Sequence, residues 1–292
     1  MNYENMRVWC EREYQKSLRP MKSELNDIAF WDQLNRFFDP GTGTDHNTSS
    51  FCDYLCRRVK KLFSFLRGYD PHACEGTVLD IGCGNGVFSA KFAKSAEHVT
   101  AADISEQARK TTESYVRSRS LFNVDILPLD ITSFDPEKEG WTKKFDLVFA
   151  GLVPACYTLD AIKKMEAMSR KYCFLEMRLS MTDSLNNEFF EQAGGREPMR
   201  CLDLSGPFLL LNNILSLDGC FPSVRYDRES FSIVYPNVDA KLSSLTDRFP
   251  GIAGSEEQIR LFRQFLEQKE KSGILETRRE ILSGWIIWDV RK

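Results

Sequence analysis

The clearest chemical signal in this sequence is a run of alternating glycines that follows a short apolar stretch, VLDIGCGNG at residues 78–86. Glycines at alternate positions let the backbone turn tightly and approach a ligand where a Cβ atom would collide. The next segment, VFSAKFAKSA, predicts a helix whose N-terminus points toward the same place. We therefore expect a ligand-binding loop between a buried strand and a helix. Its members are Gly82, Cys83, Gly84, Asn85 and Gly86.

Two classes of cofactor use loops of this kind. Dinucleotide sites need the spacing G-x-G-x-x-G, with a pyrophosphate at the helix N-terminus. Here the third glycine comes one residue early, at Gly86, and Val87 stands where that pattern needs Gly or Ala. A carboxylate at Asp80 would repel a pyrophosphate, whereas it suits the ammonium and sulfonium charges of S-adenosylmethionine. The loop favours the methyl donor, and a nicotinamide-dependent oxidoreductase is the alternative.

Acidic residues follow the next two predicted strands. Asp103 ends HVTAAD, where its carboxylate can accept both ribose hydroxyls in either cofactor class. Asp130 follows the third strand, where it can accept the adenine N6 amine while Ile131 covers the ring. The alternative for both aspartates is capping of the segment that follows. The residues assigned to the cofactor site beyond the loop are Asp80, Asp103, Ile104, Asp130, Ile131 and Gly151.

Alternating strands and helices must position these residues. The segments TVLDIG, HVTAADI, VDILPLDI, KFDLVFAGL and YCFLEMRL read as strands, with helical segments between most of them. Strands that alternate with helices of this length indicate βαβ units and a parallel sheet covered on both faces. The carboxyl ends of such strands share one edge, where open α/β sheets bind ligands.

Both ends of the chain carry additional helices. An apolar stripe predicts a helix over about residues 47–67, and the amphipathic GSEEQIRLFRQFLEQKEKSG predicts another near the C-terminus. Between them, PFLLLNNILSLDG reads as a helix and FPSVRYDRESFSIVYP as a strand or hairpin. The sequence predicts a helical cap over residues 1–70 and an α/β domain over 71–292, with a helical insertion at about 237–280. The cap and a loop over 41–50 are expected to close over the ligand, with the insertion as the other wall.

Residues 76 to about 178 resemble the class I S-adenosylmethionine-dependent methyltransferases. VLDIGCGNGVFSAKFA is similar to their first motif, VTAADIS to their acidic second motif and LDI to their third, while FDLVFAGLVPAC takes the place of their fourth. The resemblance implies a doubly wound, mostly parallel, Rossmann-like sheet of seven strands, with GWIIWDVRK as an antiparallel last strand. It also implies transfer of a methyl group from S-adenosyl-L-methionine, which leaves S-adenosyl-L-homocysteine as the product.

The acceptor side is less defined. The segment after the fourth strand, GLVPAC, lacks the [DN]-P-P-[YF] motif of enzymes that methylate adenine or glutamine amines, and no catalytic residue can be assigned. For Phe30 and Phe38, ordinary core packing is the alternative. For His46 it is a solvated loop histidine, and for Cys156 an inert buried thiol. The candidates for contact with the acceptor are Trp31, Phe38, His46, Cys156 and Tyr157, with Phe30, Glu176 and Arg178 nearby.

Composition narrows the functional classes. The 292 residues carry a formal net charge of −3, so the broad basic footprint of a nucleic-acid-binding protein is not evident. No apolar run is long enough to span a bilayer and the N-terminus has no signal-peptide pattern, so we expect a cytoplasmic protein. The nine cysteines and three histidines lack metal-ligand spacing, and we expect no metal and reduced thiols.

Together these observations predict a methyltransferase that acts on a small molecule. The alternatives are a macromolecular enzyme that methylates protein or tRNA, and a non-catalytic protein that binds S-adenosylmethionine. The oligomeric state stays open.

Overall fold

The computed structural model describes residues 3–18, 49–192, 203–246 and 256–291. Within these residues the strands form one seven-stranded sheet in the order β3-β2-β1-β4-β5-β7-β6. The strands are β1 (Thr77–Ile81), β2 (His98–Asp103), β3 (Val124–Pro128), β4 (Phe145–Gly151), β5 (Ser169–Asp183), β6 (Ser223–Tyr235) and β7 (Leu275–Asp289). The pairings among β1 to β5 are parallel, whereas β7 runs antiparallel to both β5 and β6. The predicted seven-stranded, mostly parallel sheet with an antiparallel last strand is confirmed.

Helices cover both faces of the sheet. In chain order they are α1 (Tyr3–Ser17), α2 (Ser49–Tyr69), α3 (Val87–Phe92), α4 (Glu106–Arg117), α5 (Leu159–Met168), α6 (Ser184–Gln192), α7 (Ser205–Leu217), α8 (Val238–Thr246) and α9 (Glu256–Ser272). A 3₁₀-helical turn, Pro154–Tyr157, follows β4. The helical segments predicted before the sheet and near the C-terminus are therefore present.

Successive side chains of a strand point to opposite faces of the sheet, so the core has two layers. In β4, Leu147 and Phe149 pack against α2, whereas Val148 and Ala150 pack on the opposite face. α2 buries a stripe at helical spacing on the first face, with Leu62 and Leu66 fully buried. α1, α5 and α7 contribute to the core on the opposite face. The two described N-terminal helices therefore lie on opposite faces of the sheet.

The strands β5, β6 and β7 are longer than the sequence pattern predicted. β5 and β7 each have 15 residues and β6 has 13, as one continuous strand rather than a hairpin. The predicted insertion at about 237–280 is wrong at its C-terminal bound, because β7 begins at Leu275. Burial alternates residue by residue from Leu275 to Ile281, which is the period of a strand with one face packed.

A buried polar cluster joins the insertion to the extended strands. Asp183 in β5 accepts hydrogen bonds from Lys241 Nζ in α8 at 2.8 Å and from Arg279 Nε in β7 at 3.1 Å. Burial alone would raise the pKa of Asp183, but the charges of Lys241 and Arg279 hold it at about 2. One carboxylate thus fixes α8 to the extensions of β5 and β7.

Candidate functional site

The glycine loop connects β1 to α3 in a left-handed conformation. Gly82, Gly84 and Gly86 have φ of +68°, +55° and +77°, values that residues other than glycine rarely adopt. A Cβ atom at Gly82 would lie 2.4 Å from Val153 Cγ2, and one at Gly86 would lie 3.0 Å from the Cα of Thr112. At these two positions the protein itself fills the space that we expected a ligand to occupy. The glycines are needed for the turn and its packing.

Hydrogen bonds hold this loop against β2. The backbone N–H groups of Gly82 and Cys83 donate to the Ala102 carbonyl, with N···O distances of 2.7 and 3.1 Å. The N–H of Gly84 donates to Asp103 Oδ2 at 3.0 Å, and that of Ser105 donates to Asp103 Oδ1 at 2.9 Å. The structure thus brings the Asp103 carboxylate into direct contact with the loop, at the carboxyl edge of the sheet.

The other members of the predicted loop site are partly enclosed. Cys83 is buried beside Thr112, whose hydroxyl lies 3.5 Å from the Cys83 sulfur. Asn85 is half-buried, and its Oδ1 accepts a hydrogen bond of 3.4 Å from the Val87 N–H at the start of α3. Ile104 is half-buried just after Asp103. Cys83 and Asn85 thus pack within the loop, and Ile104 follows the end of β2 beside it.

Asp80 lies beneath the loop in β1 and is only 2% exposed. Its Oδ2 accepts a hydrogen bond of 2.5 Å from the Ser89 hydroxyl in α3. Burial raises the pKa of Asp80 to about 7, because desolvation penalises the carboxylate and the nearby Asp103 adds like charge. Any cation bound close to this pair would favour the ionised form of Asp80.

The residues after β3 make mainly local contacts. Asp130 Oδ1 accepts from the Thr132 N–H at 2.9 Å and the Thr132 hydroxyl at 2.7 Å, while Oδ2 accepts from the Ser133 hydroxyl at 3.0 Å. Burial acts to raise the pKa of Asp130, but these hydrogen bonds outweigh it and the pKa lies below its usual range. Ile131 is buried in the core. This geometry matches the capping alternative for Asp130.

A cleft with a volume of about 190 Å³ lies over the glycine loop. The loop and the tip of β4, at Gly151 and Leu152, form one side of this cleft. α2 and the extensions of β5, β6 and β7 form the other. No described residue of α8 or α9 lines this cleft, so the described helices of the insertion do not form the expected wall. Side chains on the far side include Tyr54, Arg58, Arg178, Met181, Phe231 and Ile281.

The insertion instead supports the wall from behind. Phe262, Phe265 and Leu266 of α9 share one apolar cluster with Met181, Phe231 and Ile281. The helices lie behind the wall because β5, β6 and β7 are longer than the sequence pattern predicted. The extensions of these strands line the cleft, and α9 packs against their other side.

A buried ion pair connects α2 to the strand tips beside the cleft. Arg58 Nε donates to Glu176 Oε1 at 3.1 Å, and Arg58 Nη2 donates to Oε2 of the same carboxylate. Trp285 Nε1 donates to Glu176 Oε1 at 3.2 Å, and the Arg58 guanidinium lies 4.7 Å from the centre of the Phe88 ring. Desolvation opposes the charge on Arg58, but the Glu176 carboxylate outweighs it and raises the pKa of Arg58. Both charges are therefore matched within the protein.

Sequence reasoning missed several residues of the cleft. Tyr54 and Leu62 belong to the apolar stripe of α2, and Arg58 stands midway between them, four residues from each. A charged residue on an otherwise apolar face was a usable signal for Arg58. Phe231 gave no such signal, because its position depends on the pairing of β6 with β7. Leu152, with φ of +62°, is a non-glycine residue in the left-handed region that no sequence pattern indicated.

Two of the acceptor candidates lie in the core. Cys156 is fully buried and Tyr157 is 3% exposed, and neither lines the cleft. Burial raises the pKa of both side chains. The Tyr157 carbonyl accepts a hydrogen bond from the Tyr14 hydroxyl. The structure thus places Cys156 as the buried-thiol alternative describes. Trp31, Phe38 and His46, together with Phe30 and most of the 41–50 loop, lie outside the described residues.

Two further properties of the described chain bear on its function. None of its helices is long and apolar enough to cross a membrane. Across the same residues, no group of three or more His, Cys, Asp or Glu side chains could hold a metal ion.

Part of this chain matches a known family domain. Residues 78–171 match the model described as a methyltransferase domain. This segment runs from β1 through α5 and into β5, and includes the glycine loop, Asp103 and Asp130. The match confirms the resemblance drawn from the motifs.

Similarity to individual proteins is limited to part of the chain. A ribosomal protein L11 methyltransferase from Thermoanaerobacter pseudethanolicus is 32% identical over 133 residues, which are 45% of this chain and 35% of the relative. A probable cobalt-precorrin-6B C(15)-methyltransferase (decarboxylating) from Methanococcus maripaludis is 28% identical over 131 residues, 39% of this chain and 72% of the relative. The chain thus covers about a third of the length of the first relative.

Among solved structures, magnesium protoporphyrin IX methyltransferase from Synechocystis, with bound S-adenosylhomocysteine, is similar with a TM-score of 0.48 and 16% identity. The alignment covers 74% of this chain and 93% of that one.

Proposed function

We propose that this chain, whose residues 78–171 belong to the class I S-adenosylmethionine-dependent methyltransferases, transfers a methyl group to a small-molecule acceptor in the cleft. The observation that carries the proposal is the contact between the glycine loop and Asp103. The Gly84 N–H to Asp103 distance of 3.0 Å brings the residues of the first and second motifs of this family together, and Gly84 lines the cleft.

The residues of the loop fit this cofactor. The loop turns without side chains at three positions, and a carboxylate at the end of β2 lies against it. In the proposal, Asp103 accepts the ribose hydroxyls and the buried Asp80 balances the positive charge of the methionine end. In the proposal the loop residues Gly82, Cys83, Gly84, Asn85 and Gly86 lie beneath the cofactor, and Ile104 and Gly151 belong to the same site. Bound S-adenosylmethionine supplies an activated methyl group for in-line displacement.

Asp130 and Ile131 border the adenine end of the proposed site. To accept the adenine amine, Asp130 would have to give up part of its bonding to Thr132 and Ser133. Ile131 would contact the ring only if the segment after β3 shifted, because its side chain is buried. In the proposal Asp130 and Ile131 therefore make weaker contacts with the cofactor than the glycine loop and Asp103 do.

The walls of the cleft favour a small acceptor. α2 and the extended strands enclose it opposite the loop, and Tyr54, Met181, Phe231 and Ile281 give it an apolar surface. The formal net charge of −3 does not favour a polyanionic substrate. In this proposal α2 is the part of the predicted 1–70 cap that faces the cleft, whereas α1 packs on the opposite face of the 71–292 domain. The cytoplasmic location stays a prediction.

A macromolecular acceptor is the second candidate. The similarity to a ribosomal protein L11 methyltransferase favours it, within the part of the chain that is covered. A non-catalytic S-adenosylmethionine-binding protein is the third. An isotope in the methyl group of the cofactor separates the three candidates. The label would enter small molecules in the proposal, macromolecules in the second candidate and neither in the third.

The test is transfer of labelled methyl groups into a cell extract divided by ultrafiltration. We expect label in the small-molecule filtrate and none above background in the macromolecular fraction, with Asp103→Ala inactive on both. Asp125→Ala, an exposed carboxylate on β3, is the matched control and should transfer normally. Label confined to protein or RNA would favour the second candidate. Binding of the cofactor without transfer to either fraction would favour the third.

A further inference from the structure

The two arginines of the cleft differ in how their charges are matched. The Arg58 guanidinium is held by both oxygens of Glu176. Arg178 makes no ion pair with any residue that the structure describes, and its Nε is buried without a hydrogen-bond partner. A buried charged donor left unpaired is unfavourable, so it gains strongly from an acceptor that enters the cleft. Arg178 is therefore the cleft's unmatched positive charge within the described part of the chain.

The sheet register explains why Arg178 lies at the cleft. Gly151, the last residue of β4, pairs with Glu176 in β5, and Arg178 comes two residues later on the same strand. β5 continues where β4 has ended, so Arg178 stands beyond the edge at which the glycine loop lies. The Arg178 backbone N–H donates to the Tyr157 hydroxyl at 3.4 Å. This contact helps to fix the position of the strand.

The surface around Arg178 is apolar and partly aromatic. Tyr54 and Phe231 stack with their ring centres 4.6 Å apart, and Met181 and Ile281 lie in the same lining. All four side chains are at least nine-tenths buried. A ligand here would meet one guanidinium that has no ion-pair partner among the described residues, and a mostly apolar wall.

We propose that Arg178 binds a carboxylate group of the methyl acceptor, and that the acceptor is a small carboxylic acid with an aromatic or aliphatic body. This inference rests on the proposed function, because it assigns the acceptor of that same cleft. The planar guanidinium presents paired N–H donors that match the two oxygens of a carboxylate. The hydrocarbon body lies against Tyr54 and Phe231.

A monoanion fits this cleft better than a phosphate dianion. Arg178 supplies a single unmatched charge, and the neighbouring Glu176 places a negative charge behind Arg58. A phosphate monoester would bring close to two negative charges to the single positive charge of Arg178. The carboxylate of the methionine part of the cofactor is the other source of the same chemistry, and the experiment separates it from the acceptor.

The experiment measures ligand binding by calorimetry with and without saturating S-adenosylhomocysteine. The probes are benzoate and hexanoate, their neutral amides, and phenyl phosphate. We expect the protein to bind at least one of the carboxylates more tightly than its amide and more tightly than phenyl phosphate. Arg178→Gln should weaken that binding by about tenfold or more, the effect of losing a charged hydrogen bond, and Arg178→Lys should restore part of it. Arg228→Gln, an exposed arginine of β6, is the control and should bind as the unmodified protein does.

Each alternative gives a different result. If Arg178→Gln weakens S-adenosylhomocysteine but not 5′-methylthioadenosine, which lacks the amino-acid carboxylate, then Arg178 binds the cofactor and the inference is overturned. Equal binding of acids and amides, preference for phenyl phosphate, or no binding of any carboxylate also overturns it. Failure to bind S-adenosylhomocysteine contradicts the proposed function instead. In that case the carboxylate titrations carried out without S-adenosylhomocysteine still show whether Arg178 binds an acid.

Discussion

Individual residues of the glycine loop were predictable in position but not in physical role. The pattern located Gly82 and Gly86 correctly at a turn, and the structure assigns the space beside them to Val153 and Thr112. Asp103 could be predicted to lie near the loop, because successive parallel strands end at one edge. The hydrogen bonds of Asp130 to Thr132 and Ser133 could not be chosen in advance, since a capping aspartate and a ligand-binding one look alike in sequence.

Asp80 provides a prediction at the residue scale. Its pKa is about 7 in the folded protein, above the usual value of 3.8. Between these two pH values the folded state keeps a proton on Asp80 that the unfolded state releases. This group therefore contributes stability at low pH that is lost as the pH rises through about 7. We expect Asp80→Asn to gain stability relative to the unmodified protein between about pH 5 and about pH 8, measured as urea midpoints.

The control for this prediction is Asp160→Asn, which changes an exposed carboxylate on α5. Its midpoint should follow that of the unmodified protein across the same range. If the urea midpoints of Asp80→Asn also ran parallel to those of the unmodified protein across this pH range, the pKa of Asp80 would not be raised.

At the scale of elements, the sequence predicted best the parts with a clear period. The five parallel strands and the stripe of α2 were recognisable from alternation and helical spacing. The lengths of β5, β6 and β7 were not, because their extensions gain stability from pairing with distant strands and from α9 behind them. The cleft wall depends on those extensions, so its residues Met181 and Phe231 escaped prediction for the same reason.

The ion pair between α2 and β5 gives a prediction at this scale. Arg58→Met leaves the buried Glu176 carboxylate without its ion-pair partner, and the expected loss is about 3 to 5 kcal/mol in the free energy of unfolding. The double variant Arg58→Met with Glu176→Leu should lose less than the sum of the single changes. Urea denaturation measures all three.

An exposed pair serves as the comparison. Arg263 and Asp239 are 44% and 76% exposed, and Asp239→Ala should cost less than about 1 kcal/mol. A cost of that small size for Arg58→Met would mean that α2 does not depend on the buried pair.

At the scale of the whole molecule, the cleft forms where distant parts of the chain meet. α2 comes from the N-terminal segment, the loop from the first βαβ unit, and the far wall from strands that pair near the C-terminus. The segment that matches the methyltransferase-domain model, residues 78–171, therefore supplies the loop side, and residues on either side of it supply most of the opposite wall. This division is consistent with a proposed cofactor site within the matched segment and a proposed acceptor site mostly outside it.

The most direct test of the cofactor site is calorimetric titration of the purified protein with S-adenosylhomocysteine and, separately, with NADH. We predict that S-adenosylhomocysteine binds, that NADH does not, and that Asp103→Ala abolishes binding while Asp125→Ala preserves it. If the unmodified protein fails to bind S-adenosylhomocysteine, or if Asp103→Ala binds it as tightly, then the loop and Asp103 do not form the cofactor site.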